Sequence, residues 1–438
     1  MYDTIFAEAQ NRPAALLIYK YFVNDAQSAA SSRGLPGVRL VPESIVSECS
    51  VNEEIEAGVD SILDDLIGAL TRPLTGEEKV PKLREQARPG IVFKGTVGEV
   101  NRFFYQRGWT DGLPILPPTE EAVAEMLTGT DLPRDHVIAE LEPRRGKATI
   151  ECVAINAVMA GALPTYMPVL IAGVKTLATN PMADVWAVST GSWAPLWIIN
   201  GPVRNDLRIN NSYGVMSPGE MANAAIGRAL ALITRNIRGV RRHIEDMGVL
   251  GNPAKYSSVV AENEEESPWE PLHVERGLKR EDSAITVWFP HCYQQLSSYG
   301  TDDKGILATI TCNIAPGRFG QLGVMMTPVN AQALAKRGWS KANMKKHIVD
   351  NAEVPWRCHP RSYSEASPSH QPEEVVPIFP ANPNQPPPIQ VFVAGGQGSW
   401  TGLFSGGGTL TTTRVELPPN WEKLVARYKN IAPTYVRY

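Results

Sequence analysis

Short apolar runs closed by proline, glycine or asparagine set the tightest limit on what this chain can fold into. APLWIING (194–201), SAITVWFP (283–290), QLGVMMTP (321–328) and IQVFVAGG (389–396) are the clearest. Each is too short for a core helix. Each is apolar at successive positions, so both its faces need cover, as in a strand inside a layered domain. Longer segments between them repeat their apolar residues every three or four positions. PTYMPVLIAGVKTLATNP (164–181) carries Pro168 in the first turn of such a helix, and GEMANAAIGRALALITRNIRG (219–239) reads as an Ala-rich one. Strands mixed with helices predict an α/β or α+β fold. DVWAVST (184–190) is expected to be a further strand, and GGQGSWTGLFSGGGTL (395–410) a lid, a backbone cradle or a long hairpin loop.

The patterning divides the chain. In residues 1–75, PAALLIYKYFVNDAQSAASSRGLPG predicts a helix and VRLVPES a short strand. Ile55, Val59, Ile62, Leu63, Leu66, Ile67 and Leu70 then mark one face of a second helix. Helix, strand, helix is part of an α/β unit but too little for a complete parallel sheet. Residues 76–95 read as a polar linker. Residues 96–438 read as the main α+β domain, with a Pro- and Ser-rich surface excursion at about 355–388.

Composition narrows the function. With 43% hydrophobic and 20% charged residues the chain is ordinary globular material. A net charge of -4 argues against general nucleic-acid binding. No apolar run is long enough to span a bilayer, and the acidic start does not resemble a secretory signal. A soluble, cytoplasmic protein with a small-molecule substrate is the expectation. The five cysteines form no CxxC pair, which disfavours a disulfide framework or a structural zinc site. No GxGxxG or GxxxxGK[ST] occurs, so no dinucleotide or P-loop cofactor is expected.

GWTDGLPILPPT (108–119), GKATIECVAINAVMAGALPTYMPVLIAGV, NGPVRNDLRINNSYGVMSPGEMANAAIGRALAL and ENEEESPWEPLHVERG resemble the UGSC-like (seleno)protein family. So do Gly-Trp-Ser-Lys at 338–341 and AGGQGSW. The resemblance covers most of the chain from residue 96 onward, and residues 1–75 look like the tail half of the domain that names the family. The Cys- or selenocysteine-Gly-Ser-Cys motif of the family label does not occur here; SECSVNEE around Cys49 is the nearest text. A thiol or selenol role is therefore not carried over.

AENEEESPWEPLHVERG (261–277) offers the richest polar inventory. On an extended segment His273 and Glu275 share one face, the arrangement of a general acid–base pair. Arg276 is suited to hold an anionic group. The same His and carboxylates are a donor set for a divalent metal, which leaves the cofactor open. The bland alternative is a rigid loop, with Glu264, Glu265 and Glu266 solvated or capping. In the loop after Gly108, Trp109, Thr110 and Asp111 either position a substrate or form a structural corner. Arg145 in the Arg-Arg-Gly turn is a candidate anion site, and Asn200 either contacts substrate or serves a turn.

Two readings follow. In one, the chain is an enzyme doing acid–base work (lyase, hydratase, isomerase or hydrolase) on a small anionic organic molecule. His273 is the acid–base residue, Glu275 tunes it, Arg145 or Arg276 clamps the anion, and Asp111 positions it. In the other, the chain is a non-catalytic or co-catalytic subunit. A homo-oligomer or a partner subunit then completes the N-terminal region, and the partner supplies thiol or selenol redox residues.

Overall fold

The mostly apolar runs become strands buried at every position, as at Leu196–Asn200, Ala284–Trp288 and Leu322–Met326. The structure is a computed structural model that describes residues 2–45, 50–76, 78, 89–300, 302–316, 321–363, 370–379 and 388–431. Its strands build two four-stranded sheets. The first has the order Thr411–Arg414, Ala284–Trp288, Leu196–Asn200, Val259–Ala261. Its last two strands are parallel and its other pairings antiparallel. The second has the order Ile389–Val393, Leu322–Met326, Trp400–Ser405, Cys292–Ser297, with only its first pair parallel.

Side-chain alternation sets the layering. Leu196, Ile198, Val260 and Trp288 of the first sheet meet Met325, Phe392 and Phe404 of the second in one shared core. Trp197, Ile199, Ile285 and Val287 point the other way, into helices Ile150–Met159, Met167–Thr179 and Met221–Asn236. Leu322, Val324, Val391 and Leu403 pack outward against Asp303–Cys312, Pro328–Ala335 and Lys341–Asn351. The main domain is thus a four-layer helix–sheet–sheet–helix arrangement, and the fold is α+β.

The N-terminal region holds two parallel strands, Leu16–Tyr19 and Leu40–Glu43, joined through helix Val23–Ser32. It sits on the main domain through Arg33–Glu142 (2.9 Å) and a Ser28–Glu245 hydrogen bond. Helix Asn52–Thr71 follows, and none of its residues is fully buried.

Three expectations are corrected. The first predicted helix begins as the strand Leu16–Tyr19, because its Leu-Leu-Ile-Tyr run pairs with Leu40–Glu43. DVWAVST forms helix Ala183–Val188, where Trp186 stacks on Phe289. The Gly-rich 395–410 stretch contains an interior strand of the second sheet, Trp400–Ser405, rather than a loop. Most of the 76–95 stretch, parts of the 355–388 excursion and Cys49 lie outside the described residues.

Candidate functional site

Parallel pairing places the carboxyl ends of Leu196–Asn200 and Val259–Ala261 side by side, and crevices at such ends are where layered α/β structures gather ligands. Here the second sheet contributes too, since the Asn263 N–H donates to the Val393 carbonyl at the end of Ile389–Val393 (2.7 Å). The segment leaving Ala261 therefore bridges both sheets.

Glu262 is 0% exposed. Its Oε2 accepts from Asn200 Nδ2 (2.7 Å) and the Leu272 N–H (2.7 Å). Its Oε1 accepts from the Val393 N–H (3.4 Å) and lies 3.8 Å from Lys341 Nζ. A buried carboxylate is tolerable only with such partners. Lys341, buried as well, donates to the Glu270 carbonyl (2.6 Å) and pairs with Glu275 (3.3 Å).

Glu264 lies on the other side of Asn200. Its Oε1 accepts from the Gly201 N–H (2.7 Å) and Asn200 Nδ2 (3.1 Å) and lies 3.1 Å from Arg204 Nε, with which it forms an ion pair. Gly201 is essential to this turn. Its φ is +80°, and a Cβ would meet the Asp282 carbonyl oxygen at 2.1 Å. Buried Arg204 is clamped by both oxygens of Glu265 (3.1 and 2.9 Å), which hold the Glu265 carboxyl down to about 2.

His273 completes the cluster. It is 0% exposed, with Nδ1 4.0 Å from Glu264 Oε1, and among the described residues neither ring nitrogen has a hydrogen-bond partner. Asn200 Oδ1 is buried and unpartnered as well. Unmet polar groups of this kind are rare in native interiors and call for a bound molecule or water. A neutral imidazole beside a carboxylate, both out of bulk water, can take up and return a proton.

The sequence-based assignments fare unevenly. His273 and Asn200 do come together. Glu275 is tied in only through Lys341, because Leu272–Glu275 is a helical turn and not an extended segment. Residues two apart on a helix do not share a face. The carboxylate beside His273 is Glu264, which with Glu265 and Glu266 was expected to be solvated or capping; Glu265 and Glu266 are exposed, and Glu264 is not. Burial of Arg204 draws in Glu264 and Glu265, and Glu266 binds Asn263 (2.7 Å) and Gln397 (2.9 Å).

Arg276 donates to the Leu410 carbonyl (2.8 Å). Asp111 is gripped by Arg228 at 2.8 and 3.0 Å, on the outer helical layer. Thr110 bonds the Gly112 N–H, and Trp109 packs edge-on against Phe103 and Phe104. Arg145 sits in a hairpin turn, paired with Glu140 (2.9 Å). Trp109, Thr110, Asp111 and Arg145 are thus each held by partners outside the cluster. Sequence reasoning missed Glu262, Glu264, Arg204 and Lys341. The available signal was their place just after strand ends and in the motif segments 200–232, 262–277 and 338–341.

A cleft lined by Tyr166, Arg208, Glu220 and Tyr428 lies in the helical layer and contains no residue of the cluster. Buried polar atoms without a partner also occur at Glu142, Trp186, Asn236, Arg238, Trp288 and His291; the cluster is where three of them, Asn200 Oδ1 and both His273 ring nitrogens, lie on residues beside one carboxylate, Glu264. Among the described residues no group of three or more His, Cys, Asp or Glu is arranged to hold a metal ion, and no helix is long and apolar enough to cross a membrane. No family model, curated protein or solved structure matches the chain.

Proposed function

We propose that this chain is an enzyme performing acid–base chemistry of the lyase, hydratase, isomerase or hydrolase type on a small organic molecule. Its reacting centre in this reading is the Glu262–Glu264–His273–Lys341 cluster. One observation carries the proposal: His273 is wholly buried, lies beside Glu264 and has no hydrogen-bond partner on either ring nitrogen among the described residues. Neutral His273 takes a proton from the substrate, Glu264 stabilises the resulting imidazolium, and the proton returns in a later step. Glu262 and Lys341 hold the loop and strand ends in register. Arg145 and Arg276 have other partners, which removes the support for an anion clamp formed by them.

Membership of the UGSC-like family belongs to the same proposal. It is supported by the convergence of separate motif segments on one place: Asn200 and Arg204, Glu262 to His273, Lys341, and Gln397. The test is turnover by His273→Gln, with folding checked by circular dichroism. Loss of activity with an intact fold supports the assignment, and unchanged turnover sinks it.

A second reading has its own observation. Val59, Leu63, Ile67 and Leu70 form an exposed apolar stripe along helix Asn52–Thr71, beside a sheet of only two strands. That suits a subunit whose partner completes this region. Light scattering on the purified chain separates a monomer from an oligomer.

A further inference from the structure

The hydrogen-bond capacity left over in the cluster specifies what a ligand must bring. Arg204 is largely taken up, with four of its five N–H groups committed: Nε donates to the Gly201 carbonyl (2.9 Å), Nη1 to the Glu262 carbonyl (2.7 Å) and Glu265, and Nη2 to Glu265. Lys341 is taken up by the Glu270 carbonyl and Glu275, and Lys345 also pairs with Glu275 (3.4 Å). Each of these three cations is already paired with a carboxylate of the cluster.

Acceptors are left over instead. Asn200 Oδ1 is buried with no donor. Every bond described to Glu264 falls on Oε1, which leaves Oε2 as an acceptor. A neutral His273 adds one acceptor nitrogen and a single donor. Formal charge points the same way. Glu262, Glu264, Glu265, Glu266 and Glu275 outnumber Arg204, Lys341 and Lys345. A carboxylate or phosphate entering here would meet acceptors and like charge, whereas a donor-rich cation would satisfy both.

We infer that the ligand of this site is a small organic cation, a primary amine or an amidine, whose N–H groups bind Asn200 Oδ1 and the Glu264 carboxylate beside His273. The inference rests on the proposed reacting centre and replaces the anionic substrate expected from the sequence. It requires that an ammonium group be recognised where Asn200 and His273 lack partners, with His273 the acceptor for the proton it gives up.

Calorimetric titration of the full chain with n-butylammonium, butyrate and inorganic phosphate at one ionic strength tests this. Butylammonium should bind with a saturating isotherm, and butyrate and phosphate should not. Glu264→Gln, which keeps the side chain's shape, should weaken it roughly tenfold or more through loss of one charge-assisted bond. Glu422→Gln, on the C-terminal helix, should leave it unchanged. Should Glu264→Gln fail to fold, NMR of the wild type carries the test. There butylammonium must shift the His273 ring signals and butyrate must not.

Preference for butyrate or phosphate, with His273 signals responding, would overturn the cation while leaving the reacting centre in place. Butylammonium binding that is indifferent to Glu264→Gln, or that leaves the His273 ring untouched, places the amine elsewhere and also overturns the inference. No binding and no response of His273 to any probe would count against the reacting centre itself.

Discussion

Glu262 has no contact with solvent, and its carboxyl oxygens accept hydrogen bonds from donors on both sheets. Lys341→Met removes the cation nearest to both Glu262 and Glu275. Breaking a buried pair from one side typically costs about 3–5 kcal/mol, so urea unfolding should show a loss of that order. Asp25, at the base of the N-terminal region, behaves in the opposite sense. Burial and the neighbouring Glu245 raise its carboxyl to about 6, from 3.8 in the unfolded chain. The fold therefore favours the neutral acid. Its contribution is fully present below about pH 4 and is lost as pH rises through 6. Asp25→Asn should stabilise the protein at pH 8 by ~1 kcal/mol, the full linkage value being discounted for partial exposure. Thermal melts at pH 4.5 and 8 check this, since the variant should gain clearly more at the higher pH. At this scale the sequence is legible by residue type alone. It marks His273 as chemistry-bearing, but not which carboxylate faces it, since burial of Arg204 and the helical turn at 272–275 are decided by tertiary packing.

Elements were readable where periodicity and length agreed. The runs at 196–200, 284–288, 322–326 and 389–393 are strands because they are short and mostly apolar, with at most one polar residue each. The strand Trp400–Ser405 was hidden by flanking glycines, whose backbone freedom reads locally as loop. Its Leu403 and Phe404 point to opposite cores, which only the second sheet reveals. Gly201 shows how a turn serves the site. Gly201→Ala should cost ~2 kcal/mol or more through its positive φ and the Asp282 clash, and should displace the N–H that holds Glu264. Denaturant unfolding gives the first effect and ligand titration the second. On helix Asn52–Thr71, Leu63→Lys should change the stability of the isolated chain by no more than ~0.5 kcal/mol, because the side chain is exposed. If that stripe is a subunit interface, the same change should lower the mass seen by light scattering. Persistence of an oligomer in the variant would remove the stripe from the interface.

For the whole molecule, the two sheets share one apolar layer and are expected to unfold together. Phe404→Ala, in that layer, should destabilise by about 3–5 kcal/mol and shift a single cooperative transition rather than split it. The layered arrangement could be anticipated as α+β from the alternation of strand and helix patterns. The return of Thr411–Arg414 to the first sheet could not, because pairing across more than a hundred residues leaves no local signature. That weave brings the strand ends of both sheets to one place, and it is why motif segments far apart in sequence meet at His273. The most direct test of the account is to incubate the wild type and His273→Gln with one panel of small amines and organic acids, and to follow consumption by mass spectrometry. The account expects at least one amine to be consumed by the wild type, and consumption by the folded variant to fall at least ~100-fold, as for loss of a general acid–base group. Equal consumption by both proteins would contradict it.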